Sequence, residues 1–158
     1  MRNIVVFDMD GTLSDCSWRM DLVPEPGGDW HPFQSAAKDD PPLLQVIAIS
    51  GALQIAGMDI FICTGRSERY RELTEDWLAR YCVPYRELLM RPDGDDRKTW
   101  IVKKDMIMCE AWCGIDPRRV VAVFDDDRRV IDMWREFHIA GLQCVAMDRP
   151  GPVAADGA

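Results

Sequence analysis

Ile4-Val5-Val6-Phe7-Asp8-Met9-Asp10-Gly11-Thr12-Leu13 is the stretch on which the fold turns. Four apolar residues run unbroken into two carboxylates at i and i+2 and then a glycine, the pattern of a strand buried on both faces that ends at a polar turn. Side chains at i and i+2 of a strand share a face, so extended geometry aims Asp8 and Asp10 into one crevice. Their repulsion in a partly desolvated place is costly unless a cation is bound or one carboxyl keeps a proton. The stretch therefore predicts a metal, or a shared proton, at the end of a central strand.

Working outward, two more apolar strands end in the same manner. Asp59-Ile60-Phe61-Ile62-Cys63 runs into Thr64-Gly65-Arg66, and Val120-Val121-Ala122-Val123-Phe124 runs into Asp125-Asp126-Asp127. Between them the pattern predicts helices from Pro41-Pro42 to Ala56, from Ser67 to Tyr81, over 98–113 and from Arg128 to Phe137, with a short strand at Arg86–Met90 and a last one at Leu142–Met147. Strands alternating with helices imply an α/β fold: a three-layer, Rossmann-like parallel sheet with helices on both faces. Ligands in such sheets bind beyond the carboxyl ends of the strands, where the polar signals Asp8/Asp10, Thr64/Arg66 and Asp125/Asp126 all fall. Residues 14–40, rich in Pro, Gly, Asp and Trp and without a period, are expected to form a long loop or flap.

The 158 residues suit one domain, placed at 1–148, with 149–158 as a tail; 47% are apolar and 29% charged, excluding a disordered or membrane-spanning class. No apolar run reaches the ~20 residues of a membrane-spanning helix, and no basic-then-apolar leader opens the chain, so a cytoplasmic setting is expected. The six cysteines lie in periodic segments and are expected to be reduced. A formal net charge of −8 disfavours non-specific binding of nucleic acid by the whole surface, though not a local basic groove.

Carboxylates without a His or Cys donor cluster favour a hard cation such as Mg²⁺. A carboxylate beside it can attack phosphorus in line while a second carboxyl protonates the leaving oxygen. Lys98, Lys103 and Lys104 are candidates for neutralising the developing charge.

Together, Asp8-Met9-Asp10-Gly11-Thr12-Leu13, Thr64-Gly65-Arg66, a lysine in Arg97-Lys98 and Asp125-Asp126, in this order and each but the lysine after an apolar strand, resemble the four motifs of the haloacid dehalogenase (HAD) superfamily of phosphotransferases. The resemblance implies Asp8 as nucleophile and Mg²⁺ ligand, and Asp10 as general acid/base that lends a backbone carbonyl to the metal. It implies Thr64, Gly65 and Lys98 as the phosphoryl cradle, and Asp125 with Asp126 as the rest of the metal site. The insertions leave room for a flap but no cap, so an open site for a large or extended substrate is expected. A narrower resemblance, carried by Asp96-Arg97-Lys98, Val102-Lys103-Lys104-Asp105 and Val130-Ile131-Asp132-Met133-Trp134-Arg135, is to the phosphatase domain of phage-type polynucleotide kinase 3′-phosphatases. It implies Arg19 and Arg66 as phosphate-handling residues and a phosphorylated nucleic-acid end as substrate, in a host cytoplasm if the chain is phage-encoded. Asp127 departs from that family's arginine, and no Gly-rich kinase loop occurs, so phosphatase chemistry alone is expected. A phosphatase of nucleotides or other small phosphate esters, and a catalytically silent binding module of the same fold, are the alternatives.

Other residues carry plainer expectations. Asp127 is expected to cap the next helix, and Cys109 and Cys113 to pack in the core. His31 and His138 have no evident partner. Trp18, Trp30 and Phe33 are expected to pack the flap onto the domain rather than stack on a base.

Overall fold

The computed structural model describes residues 3–109 and 116–144. Five strands, β1 (Ile4–Phe7), β2 (Asp59–Ser67), β3 (Glu87–Arg91), β4 (Val120–Asp125) and β5 (Ala140–Gln143), form one parallel sheet in the order β3-β2-β1-β4-β5. The chain builds outward from β1 on one side, then returns to add β4 and β5 on the other. The carboxyl end of β1 therefore lies at the switch in strand order, where such sheets open a crevice.

Alternation along β1 divides the core into two layers. Ile4 and Val6 join Phe61 and Cys63 of β2 under Val102, Met106 and Ile107 of α4 (Thr99–Met108) and Val130, Met133 and Trp134 of α5 (Arg128–Glu136). Val5 and Phe7 face the other way, with Ile60 and Ile62, under Val46 of α2 (Leu44–Ile55) and Trp77 and Leu78 of α3 (Arg71–Arg80). Phe7 and Phe124 stack with ring centroids 4.6 Å apart, which fastens β1 to β4 just before both strands reach their acids.

Several boundaries differ from the sequence-based ones for local reasons. The flap is not structureless: it holds 3-10 turns at Ser17–Leu22 and Ala36–Asp39 and a short helix, α1 (His31–Ser35). A mixed polar composition hides these one- and two-turn segments, which are too short to show a period. The second helix starts at Leu44 rather than Pro41, and a 3-10 turn at Glu68–Tyr70 precedes α3. β2 runs on through Thr64-Gly65-Arg66 to Ser67, because the polar residues continue its pairing with β3 past an irregularity. The fourth helix ends at Met108, leaving Cys109 exposed at its C-cap instead of in the core, while Cys113 lies outside the described residues. The last strand begins two residues earlier than expected, at Ala140, and 145–147, like 148–158, lie outside the described residues. Asp127 is the N-cap of α5, its carboxylate accepting from Arg129 N–H at 2.9 Å. Among the described residues no helix is long and apolar enough to cross a membrane.

Trp134 is fully buried, yet its indole N–H has no hydrogen-bond partner among the described residues. Its contribution is therefore packing, and Trp134→Ala is expected to cost about 3–5 kcal/mol in urea unfolding. Trp134→Phe, which removes an unpaired N–H along with volume, is expected to cost clearly less.

Candidate active site

The turn after β1 is held from within: Leu13 and Ser14 N–H both donate to the Met9 carbonyl at 2.9 Å. Gly11 has φ +78°, and a Cβ there would lie 2.3 Å from Asp126 Oδ2. Glycine is thus required twice, for the left-handed backbone and for the approach of the β4 acids.

Beyond this turn Asp8 and Asp10 part company. Asp8 is buried beside β4, and Lys103 bridges it to Asp125, with Nζ 2.7 Å from Asp8 Oδ1 and 2.6 Å from Asp125 Oδ2. Asp8, Asp125 and the more exposed Asp126 offer carboxylate oxygens that all lie within 4.8 Å of one another. Burial pushes the Asp8 carboxyl well above the usual range; Lys103 opposes this, while Asp125, Asp126 and Asp10 add to it. Burial and then Asp125 raise Asp126 to about 6. Burial disfavours the Lys103 ammonium, but Asp125 and Asp8 outweigh it and hold its pKa above the normal lysine value. Three carboxylates around a single ammonium are short of positive charge, and an all-oxygen donor set of this kind suits a small hard divalent cation.

Asp10 turns to the opposite side, into two arginines. Its Oδ1 accepts from Arg19 Nη2 at 2.6 Å and from Arg66 Nη2 at 2.5 Å. Burial works to raise the Asp10 carboxyl, but the charge and hydrogen bonds of Arg66, then Arg19, prevail and hold it at about 2. Arg19 comes from the flap and Arg66 from the end of β2, and both are fully buried. What balances them is Asp40, which sequence reasoning missed. Its carboxylate accepts from Arg19 Nε at 2.7 Å and Nη2 at 2.6 Å, Arg66 Nη2 at 3.2 Å, Ser14 Oγ at 3.0 Å and Trp18 Nε1 at 3.0 Å. Its own carbonyl accepts from Trp77 Nε1 at 2.8 Å, tying the flap's last residue to α3. Arg66 Nη1 is buried and has no hydrogen-bond partner among the described residues.

Thr64 is buried beside these groups, its Oγ1 accepting from Arg66 N–H at 3.2 Å, and the Gly65 carbonyl accepts from Arg91 Nε at 2.9 Å. Lys98, by contrast, is exposed at the N-cap of α4. Lys103, more than one turn into the helix and on its buried face with Val102, Met106 and Ile107, is the lysine that reaches Asp8. The helix starts after Lys98, so position 98 precedes the face that packs on the sheet. His31 does have a partner: its Nδ1 lies 2.6 Å from Tyr70 Oη. With Gln34 Oε1 accepting from Ser67 N–H at 2.7 Å, this contact pins α1 to the end of β2. Of the flap aromatics, Phe33 is buried with the Arg19 guanidinium 3.9 Å from its ring centroid, whereas Trp30 is half exposed. A cleft of about 730 Å³ runs between the flap and the β3–α4 loop, lined by Trp30, Tyr70, Gly65, Arg91 and Lys98 among others.

Residues 2–149 match the family of the polynucleotide kinase PNKP phosphatase domain. The chain belongs to this PNKP phosphatase-domain family. Its fold is accordingly that of the HAD phosphatases. A solved chain of the Pnkp1/Rnl/Hen1 complex is 32% identical, with a TM-score of 0.74 over 90% of this chain and 46% of that one. A structure of the Pnkp1/Rnl/Hen1 RNA repair complex gives 32% identity and a TM-score of 0.73, over 93% of this chain and 44% of the other. This PNKP-family chain thus spans less than half the length of those two. L-2-haloacid dehalogenase from Xanthobacter autotrophicus, 12% identical, shares the fold with a TM-score of 0.62 over 90% of this chain and 77% of its own. No curated protein matches the chain.

Two expected outcomes follow from the arginine cluster of this PNKP-family domain. Asp40→Asn removes the counter-charge of two buried guanidiniums and is expected to cost about 3 kcal/mol or more in urea unfolding. Asp10, held low when folded, contributes stability above its unfolded pKa that is lost as pH falls through about 2. In chelator-treated protein, the fall of unfolding free energy between roughly pH 4 and 2 is therefore expected to be shallower in Asp10→Asn than in the wild type.

Proposed function

We propose that this chain is a Mg²⁺-dependent polynucleotide 3′-phosphatase that works through an aspartyl-phosphate. The observation that carries the reading is the juxtaposition at the end of β1. A buried carboxylate held by Lys103 and a second held by two arginines stand side by side, with Thr64 close by and an open cleft alongside.

In this reading Asp8 attacks phosphorus in line and the ester bond breaks. The departing ribose oxygen takes a proton from Asp10; Asp10 then removes a proton from the water that hydrolyses the acyl phosphate, restoring Asp8. Lys103 and the Thr64 hydroxyl hold phosphoryl oxygens. Asp8, Asp125 and Asp126 would hold the metal, together with the Asp10 backbone carbonyl. When bound, it lowers the repulsion between Asp8 and an incoming phosphate. Arg19 and Arg66 hold Asp10 ionised in the free protein. A phosphoryl group that draws their charge away leaves Asp10 buried next to added negative charge, which raises its proton affinity. The buried Arg66 Nη1, without a protein partner among the described residues, supports such a role.

Substrate size follows from access. The flap packs beside the site and leaves the cleft open. Its walls carry Trp30, Arg69, Lys98 and Arg129 beside Asp29, Asp93 and Asp96; the aromatic ring and the cations are the groups a nucleic-acid strand would use despite the net charge of −8. The relation to Pnkp1, which occurs in an RNA repair complex, points the same way.

The test compares kcat/KM on a 3′-phosphorylated oligonucleotide with that on the 3′-mononucleotide, with and without EDTA. Preference for the oligonucleotide and loss of turnover in EDTA are expected. Equal or better turnover of the mononucleotide would replace this reading with a small-ester phosphatase. No turnover of any phosphate ester would leave a silent binding module. Asp8→Asn is expected to abolish trapping of phosphoenzyme, and Lys103→Ala to lower kcat by at least ~10²-fold, against a smaller effect of Lys98→Ala.

A further inference from the structure

Register along the β2–β3 pair breaks beside the site. Thr64 pairs with Met90 and Ser67 with Arg91, so Gly65 and Arg66 have no counterparts on β3. This is a bulge, a device that re-aims side chains next to a site; here it brings Arg66 onto Asp10. Its cost is a stretch of backbone without ladder partners. A Cβ at 65 would lie 3.2 Å from Thr99 Cγ2, a tight approach, and glycine is also the residue that least resists rotation.

One side chain stands against that freedom. Arg91 donates Nε to the Gly65 carbonyl at 2.9 Å, Nη1 to the carbonyls of Asp95 at 3.1 Å and Arg97 at 2.7 Å, and Nη2 to Thr99 Oγ1 at 2.9 Å. All four acceptors are neutral, and none belongs to the catalytic carboxylates. The fork therefore ties together the bulge, the β3–α4 loop and the first residue of α4, the helix that carries Lys103. The peptide it holds, between Gly65 and Arg66, also supplies the N–H that bonds Thr64 Oγ1.

Resting on the phosphatase reading for its consequence in catalysis, we infer that Arg91 is a positioning residue that locks the Gly65–Arg66 bulge. It keeps Thr64 and Arg66 aligned with Lys103 without touching the phosphoryl group. The orientation of the Gly65–Arg66 peptide plane is measurable with and without turnover.

The experiment uses Arg91→Ala and Arg91→Lys, with p-nitrophenyl phosphate as substrate and amide exchange at Arg66 as the second readout. For Arg91→Ala, kcat is expected to fall by roughly 10²-fold with a smaller change in KM, and Arg66 N–H to exchange faster. Because Arg91 lines the cleft, added guanidinium is expected to enter the vacated space and restore part of kcat. Arg91→Lys keeps the charge but cannot span four acceptors, so its Arg66 exchange is also expected to be faster, with no rescue by guanidinium. Wild-type kcat with unchanged Arg66 exchange overturns the inference, as does a loss of kcat without rescue and without faster exchange. Should Arg91→Ala fail to fold, exchange in Arg91→Lys decides alone. An inactive wild type would count against the phosphatase reading, and Arg66 exchange would still test the lock.

Discussion

Like charges crowd the carboxyl ends of two neighbouring parallel strands, and much of the structure is arranged around that constraint. β1 and β4 are fixed side by side by the ladder and by the Phe7–Phe124 stack, so Asp8, Asp125 and Asp126 cannot separate. Lys103 supplies the first compensation, which is why α4 must pack with that residue facing the sheet. A long aliphatic stem lets a lysine sit in an apolar helix face while its ammonium reaches a polar strand end. The pairing also explains how a lysine can be buried and still charged.

Asp10 solves the same problem differently, by leaving the cluster. Its partners come from separate parts of the chain, Arg19 in the flap and Arg66 after the bulge, and two guanidiniums packed together repel each other unless another anion joins them. Asp40 is that anion. The flap is therefore better understood as one half of the site's electrostatic scaffold than as a lid over it. Its turns exist to deliver Arg19 at one end and Asp40 at the other, with Phe33 under the guanidinium between them. The contacts His31–Tyr70 and Gln34–Ser67 hold its middle to the core.

Much of this was legible from residues alone. The unbroken apolar strands ending in acids or Thr-Gly-Arg gave the parallel sheet and the convergence of Asp8, Thr64 and Asp125, because burial on both faces leaves a plain signature. Arg19 and Arg66 were named, and the structure brings them together on Asp10. The residues alone leave Lys98, Lys103 and Lys104 open and the resemblance points to Lys98; the start of the helix at Thr99, which a sequence does not state, decides that Lys103 is the one facing the sheet. Asp40 carried no signal: it follows Lys38-Asp39 and precedes two prolines, a setting that describes a solvated turn as well as a buried counter-ion. Its role depends on contacts with residues 26 and 21 positions before it and 26 after it in sequence, and no local pattern encodes those. Arg91 was hidden for the same reason, since its acceptors are mostly backbone carbonyls, which every sequence has.

The two charge clusters differ in what they lack. Arg19 and Arg66 against Asp10 and Asp40 sum to zero, so this side is self-sufficient, and any further anion would have to compete with Asp10 for the guanidiniums. Asp8, Asp125 and Asp126 against Lys103 sum to −2 when all are ionised, and burial first, with the neighbouring carboxylates adding to it, raises the proton affinity of Asp8 and Asp126. A divalent cation bound there would cancel the charge deficit and favour the ionised form of both acids. Under the proposed function, such a cation would draw a phosphate toward Asp8, and the arginines would draw one toward Asp10.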